Sequence, residues 1–187
     1  MVTDLTEIQN YLKDKQICLL GNARSILNTP KDIDKYEIVC RMNRGIPNTK
    51  EKYIGNRTDI LCTSTNNNLF EMLSFKPKYI IWMTKDQNLI KNNSYIKENA
   101  IRNPPEDWQE LKDKYPENFL PSTGCIVINF LLKHIEFKSL TIFGFDFMKS
   151  GTWYHHIMNQ KWHPAEFEKG FIETMISTNS NVELIIE

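Results

Sequence analysis

The chain has no excess of charge of either sign: Lys plus Arg and Asp plus Glu both number 23 in 187 residues. No run of like charges stands out, which argues against a nucleic-acid partner or a polybasic membrane surface. Long apolar runs are missing as well. Stretches such as Ile126 to Leu132 fall far short of the roughly 20 residues that cross a bilayer. The opening Met1-Val2-Thr3-Asp4 has no secretory h-region, so a soluble protein with no membrane span is expected. The four cysteines, Cys18, Cys40, Cys62 and Cys125, include no Cys-x-x-Cys pair and read as reduced core thiols of a cytoplasmic protein. There is no Gly-x-Gly-x-x-Gly after the first apolar run and no Gly-Lys-Ser/Thr loop, which counts against a dinucleotide oxidoreductase or a P-loop nucleotidase.

What is present is an alternation of short apolar runs and helical patterns. Asp4 followed by Glu7, with Leu5, Ile8 and Leu12 on one stripe, predicts a short capped helix. Gln16 to Leu20 then reads as a buried strand running into the Gly21-Asn22 turn. Further strands are predicted at 37–41, 59–62, 79–83, 140–143 and 182–186, with helices at 68–74, 124–134 and 165–177. Strands alternating with helices predict an α/β, Rossmann-like fold with a mainly parallel sheet, and the length suits one domain over 1–187. The stretch 85–120 is polar, carries Pro104-Pro105 and lacks a clean period, so it reads as a surface insertion or a lid.

Polar residues gather at the ends of the predicted strands, where an open α/β sheet binds its ligand. Gly21-Asn22 follows the first strand, Asn43 the second and Thr63-Ser64-Thr65 the third, while Pro121-Ser122-Thr123-Gly124 opens the longest apolar helix. Unpaired N–H groups and the helix dipole at that start suit a phosphate or carboxylate. Each piece alone is ordinary, because Gly-Asn is a common turn and Ser-Thr-Gly a common N-cap; their joint placement carries the weight.

Three of the four histidines, His155, His156 and His163, fall within nine residues. Imidazole titrates nearest to neutrality, so this is where proton transfer is expected. A zinc site is disfavoured, because His155 or His156 to His163 is not a helical i, i+4 pair and no cysteine is near. Packing residues of a surface flap, beside Trp153, Tyr154 and Trp162, are the plain alternative. Asp32-Ile33-Asp34 has the form of a metal-binding Asp-x-Asp but precedes a strand, so it reads as a turn. Asp146, after Phe143-Gly144-Phe145, stands at a strand end and has two readings, a contact to a bound sugar or acceptor and, the favoured one, an exposed loop carboxylate.

Taken together, these segments resemble a known family. Gly21-Asn22, Ile33 through Asn43 and Gly55-Asn56-Arg57-Thr58 are similar to the large sialyl motif of the animal-type sialyltransferases, glycosyltransferase family 29. Pro121 to Phe145 resembles the small motif, His155-His156 the third, and His163 with Glu168 five residues on resembles the very small motif. All four occur in the family's order. The bacterial sialyltransferases of family 42 share a similar Gly-Asn turn and are the nearest alternative.

The resemblance implies a GT-A-like fold of the variant 2 type, a CMP-sugar donor, a glycan acceptor, inversion at the anomeric carbon, and neither a cofactor nor a required metal. By position, it implies that Gly21, Asn22 and Asn43 meet the nucleotide or its phosphate, and that Ser122, Thr123 and Gly124 meet the ribose and the sugar carboxylate. His163 would be the general base, and His155 or His156 would donate to the departing phosphate; the spacing leaves open which. Arg57 and Glu168 enter as motif residues. Glu168, at i+5 from His163, is expected to anchor the local backbone or a helix N-terminus. Family members join the large and small motifs by a disulfide, but no cysteine stands near His134, so Cys18 is expected to be a free thiol. A different donor (CMP-Kdo or a UDP-sugar), a non-glycan acceptor, or a catalytically idle nucleotide-sugar binding module are the other readings.

Overall fold

Short apolar runs become strands buried on both faces, the pattern that parallel sheets require. In the computed structural model, which describes residues 4–45, 50–65, 71, 73–74, 76–85, 94–154 and 162–186, the strands are β1 (Gln16–Leu20), β2 (Ile38–Met42), β3 (Ile60–Thr63), β4 (Tyr79–Trp82), β5 (Ala100–Arg102), β6 (Ser139–Phe143) and β7 (Val182–Leu184). They form one seven-stranded sheet in the order β5-β4-β3-β2-β1-β6-β7, and every pairing among them is parallel. The chain builds outward from β1 to β5, then returns to lay β6 on the other side of β1. That reversal is the topological switch point, and the crevice it opens lies beyond the C-terminal ends of β1 and β6.

The helices are α1 (Leu5–Leu12), α2 (Glu51–Ile54), α3 (Ser94–Asn99), α4 (Pro105–Asp113), α5 (Thr123–His134) and α6 (Ala165–Ser177), with 3₁₀ turns at Arg24–Asn28 and Ile33–Lys35. Strand β1 divides its side chains between two cores by its period of two. Ile17 and Leu19 join the cluster that takes in α1, α5 and α6, while Cys18 and Leu20 join Ile26, Ile33 and Ile54 on the other face. Helix α5 is apolar around most of its circumference, with Gly124 to Ile128, Phe130 and Leu131 all buried. It is covered by β3, α4 and α6, and this deep seating makes its N-terminus a fixed point.

The predicted strands and helices that fall on described residues agree with the observed ones to within two residues, β7 stopping at Leu184, two before the predicted end. The helix expected at 68–74 falls largely outside the described residues. The 85–120 stretch, read as an insertion or lid, contributes α3, α4 and the edge strand β5 to the body of the fold.

One strand residue breaks the apolar pattern. Arg41 in β2 is only 2 % exposed, and its guanidinium donates to the carbonyls of Ile54 at 2.6 Å, Gly55 at 3.2 Å and Arg57 at 3.0 Å. It therefore knits the Gly55-Asn56-Arg57-Thr58 segment to the sheet. Burial pulls its pKa down to about 10, so the group is still charged at neutral pH.

Candidate functional site

A cavity of about 330 Å³ opens at the switch point, lined among others by Gly21, Asn22, Asn43, Ser122, Thr123, Gly124, Asp146 and His163. Residues as far apart in the chain as Gly21 and Glu168 thus converge on one place. The glycines allow the convergence. A Cβ on Gly21 would stand 2.6 Å from the Phe145 ring, and one on Gly124 would stand 2.5 Å from it. The ring is held between the ends of β1 and α5 because both partners lack side chains.

Asn43 ends β2 in the left-handed region, φ 47°, a conformation that Asn tolerates better than most residues. Its side chain then wires three segments together. Oδ1 accepts the Ser64 N–H at 2.9 Å, and Nδ2 donates to the Thr123 hydroxyl at 3.2 Å. Thr123 in turn donates to Ser64 Oγ at 3.0 Å. Asn22 holds a second junction, its Nδ2 lying 3.1 Å from both the Met42 carbonyl and the Tyr154 hydroxyl. The Ser122 hydroxyl is engaged as an N-cap, accepting the Cys125 N–H at 3.2 Å. Thr123 and Gly124, whose first-turn amides no intrahelical carbonyl can reach, both line the cavity.

His163 sits just before α6. Its Nδ1 lies 2.8 Å from the Leu120 carbonyl, which can only accept, so that nitrogen carries the proton and Nε2 holds the lone pair of the neutral ring. The Leu120 N–H donates back to the Trp162 carbonyl at 2.9 Å, and this doubles the tie. Trp162 and Leu120 are 48 % and 39 % exposed, and Tyr154 36 %, so an apolar rim stands beside the imidazole. Glu168, one turn into α6 and buried, accepts the Ser122 N–H and the Tyr115 hydroxyl, each at 2.7 Å. Burial, together with the neighbouring Cys125 thiol and the Glu168 carboxylate, pushes the Tyr115 hydroxyl's pKa up, which keeps it a donor. One carboxylate therefore joins the helix behind His163 to the helix that opens at Ser122.

Solved structures share this architecture. A mammalian sialyltransferase crystallised with Gal-beta-1-3GalNAc-ortho-nitrophenol superposes with a TM-score of 0.66 at 15% identity, over 96% of this chain and 72% of that one. The sialyltransferase CstII from Campylobacter jejuni, in complex with cytidine-5'-monophosphate, gives 0.57 at 17% identity over 93% and 81%. Its complex with a trisaccharide acceptor and CMP gives 0.58 at 15% over 92% and 80%. The chain has the sialyltransferase fold. No protein-family model and no curated protein sequence matches it.

Within that fold, Gly21, Asn22, Asn43, Ser122, Thr123, Gly124, His163 and Glu168 all line the cavity. His155 and His156 lie outside the described residues. Arg57 is elsewhere, at the end of the sheet where β2 and β3 begin. There its guanidinium pairs with Asp59 at 2.9 Å and donates to the Tyr36 carbonyl, while its backbone N–H donates to Asp34. It braces the loop and does not reach the cavity. Asp34 is correspondingly a turn residue, accepting the N–H groups of Asn56 and Arg57.

Asp146 is not the exposed loop carboxylate expected from its polar surroundings; it is 4 % exposed. Phe147 and Met148 after it both take positive φ, 54° and 63°, turning the chain back over the carboxylate. Sequence reading also missed Phe145 and Tyr154 as wall residues; the signal available was their position just after β6 and beside the histidine cluster. The four cysteines are buried free thiols. Among the described residues, no group of three or more His, Cys, Asp or Glu side chains stands together as a metal cage, and no helix is long and apolar enough to cross a membrane.

Proposed function

We propose that the protein is a glycosyltransferase of the GT-A-like variant 2 type that moves sialic acid, or a related acidic keto-sugar, from its CMP donor to a glycan hydroxyl. Transfer proceeds with inversion and without a required metal. The observation that carries this reading is the convergence of Asn22, Asn43, the α5 N-terminus and His163 on one cavity at the switch point of the sheet. Solved proteins of this fold have been crystallised with CMP and with glycan acceptors, which supports the same ligand classes here.

The chemistry follows from the groups in place. The first-turn amides of α5 and its dipole favour the anionic part of the donor. His163, held with Nε2 free of a proton, removes the proton from the acceptor hydroxyl as the new bond forms on the face opposite the departing phosphate. One of His155 and His156 donates to the phosphate as charge builds on it. The buried free thiols suit a reducing, cytoplasmic setting.

Calorimetric titration with CMP, CDP, UMP and UDP, paired with a transfer assay from CMP-sialic acid, tests the reading. The expected result is CMP binding and measurable transfer. Replacing His163 with Gln should leave CMP affinity near wild type while lowering kcat roughly 10²–10⁴-fold. Binding of UDP with no response to CMP would replace the donor, and CMP binding without hydrolysis or transfer would make this a binding module.

A further inference from the structure

The face of the sheet that bears Cys18 and Leu20 is incompletely covered. Ile26, Ile33 and Ile54 pack over β1 and β2, and of β6 only Phe143, at its C-terminal end, joins them. Toward the N-terminal ends of β1, β6 and β7 the chain opens into a cavity of about 710 Å³, lined among others by Gln16, Tyr36, Ser139, Thr141, Asn181 and Glu183. It shares no lining residue with the cavity at the switch point, which lies beyond the other end of the strands. A parallel sheet is ordinarily covered on both faces, and a volume of this size falls in the range of small-molecule pockets.

The strands supply polar groups here where a parallel sheet ordinarily has apolar ones. Thr141 stands in register with Cys18 of β1 and Glu183 of β7, and Ser139 with Gln16, so these side chains leave the sheet on one face by its period of two. Leu140 and Ile142 between them enter the core on the opposite face. Thr141 is 8 % exposed, yet among the described residues its hydroxyl has no hydrogen-bond partner. The Ser139 hydroxyl, the Gln16 side-chain amide and the Glu183 carboxylate are likewise without partners among the described residues.

Charge and chemistry narrow the ligand. One amine and one carboxylate border the cavity, Lys35 and Glu183, and their formal charges cancel, so neither an anion nor a cation is selected. Hydroxyl and amide groups that both donate and accept match a polyhydroxylated molecule. Tyr36, half-buried with its ring edge-on to Phe143 at 6.2 Å, adds an aromatic surface for the C–H face of a pyranose. We propose that this groove is a second saccharide-binding site, apart from the transfer cavity, that takes a neutral oligosaccharide. It does not rest on the nucleotide-sugar reading.

Amide NMR of the full chain, titrated with lactose, maltose and N,N′-diacetylchitobiose, tests it, with CMP as the probe of the transfer cavity. At least one disaccharide should shift the amides of Ser139, Thr141 and Glu183 with a dissociation constant of about 1 mM or below. Thr141→Val keeps the shape and removes the hydroxyl; Glu183→Ala, at an exposed position, guards against a Val variant that fails to fold. Each should weaken the saccharide by about 3- to 10-fold, the span of a single hydrogen bond, and leave the response to CMP as it is in wild type. No shift in the groove with any of the three disaccharides, shifts confined to the amides around Thr123 and His163, or binding untouched by both substitutions overturns the proposal. Glucose 6-phosphate bound more tightly than glucose makes this an anion site at Lys35 and overturns the neutral assignment. Groove amides that shift when the free protein is diluted mark a face covered by a second copy, and overturn it as well.

Discussion

Gly21 and Gly144 stand backbone to backbone where β1 and β6 part: a Cβ on Gly21 would lie 2.2 Å from the Gly144 carbonyl oxygen. The Gly21 N–H donates to the Phe143 carbonyl at 2.7 Å, and the Ala23 N–H to Gly144 at 3.0 Å, so the two strand ends cannot spread without breaking both bonds. Gly144 sits at φ 72°, which only glycine adopts freely. Gly21→Ala should therefore destabilise the fold by about 1–3 kcal/mol, the usual range for overpacking, and should weaken CMP binding because the crevice itself is displaced. Urea unfolding and calorimetry on the same preparation check both effects. A stable variant with wild-type affinity would mean that the strand ends yield cheaply.

Glu168 links two helices that are 46 residues apart at the contact, through its 2.7 Å bond to the Ser122 N–H. Glu168→Ala strands that donor and the buried Tyr115 hydroxyl together, and should cost at least about 2 kcal/mol of stability. Glu168→Gln retains an acceptor oxygen and should recover a large part of the loss. Chemical denaturation of both variants reads the difference. Equal stabilities for Ala and Gln would show that the carboxylate's acceptor role contributes little.

Much of this arrangement was legible in local sequence. Helix α6 follows its pattern at both ends because Pro164 and an apolar stripe mark it out, and α5 is announced by Ser122 and an unbroken apolar run. The sheet's central strands are equally plain. Strand β5 was not, because three residues, Ala100-Ile101-Arg102, carry no period; they become a strand only by pairing with β4, which is a tertiary event. Asp146 misled for a related reason. Lys149, Ser150 and Gly151 suggest an exposed loop, and nothing local reveals the pair of left-handed residues that fold the carboxylate inward. Arg41 is hidden inside a strand whose other residues are apolar, and its carbonyl partners lie at least 13 residues away.

Asn43 combines two properties that separate substitutions can tell apart. Its backbone is left-handed, and its side chain holds Ser64 and Thr123. Asn43→Gly loses the side chain's bonds but suits φ 47°, whereas Asn43→Ala loses the same bonds and keeps a Cβ in that backbone without asparagine's tolerance of it. The Gly variant should be the more stable of the two by about 1 kcal/mol, and both should lose CMP affinity to a similar extent. Thermal unfolding with calorimetry measures both. If Ala proved the more stable, the left-handed geometry would not be a constraint on this position.

An ion cluster joins α4 to α5 away from the cavity. Asp107, nearly buried, meets Lys133 Nζ and His134 Nε2 at 2.5 Å each, and Lys133 also reaches Glu110 at 2.8 Å. Burial alone would raise the Asp107 carboxyl, but the hydrogen bonds from Lys133 and His134 outweigh it and hold the group below its ordinary 3.8. The Lys133 amine is pushed up, first by Asp107 and then by Glu110. A carboxyl depressed in the folded state stabilises at pH values above its unfolded pKa, and that contribution fades as pH falls through the folded value. The raised amine contributes below its unfolded 10.5 and loses effect only in stronger alkali, so between these limits the pair is constant. Asp107→Asn should therefore lower stability by about 1–3 kcal/mol at pH 7. Its deficit against wild type should narrow on acidification below 3.8, because protonation abolishes the same charge in the native residue. Urea unfolding at a series of pH values from 7 to 3 reads that convergence; a deficit that stays constant across the series would place the stabilisation outside the Asp107 charge.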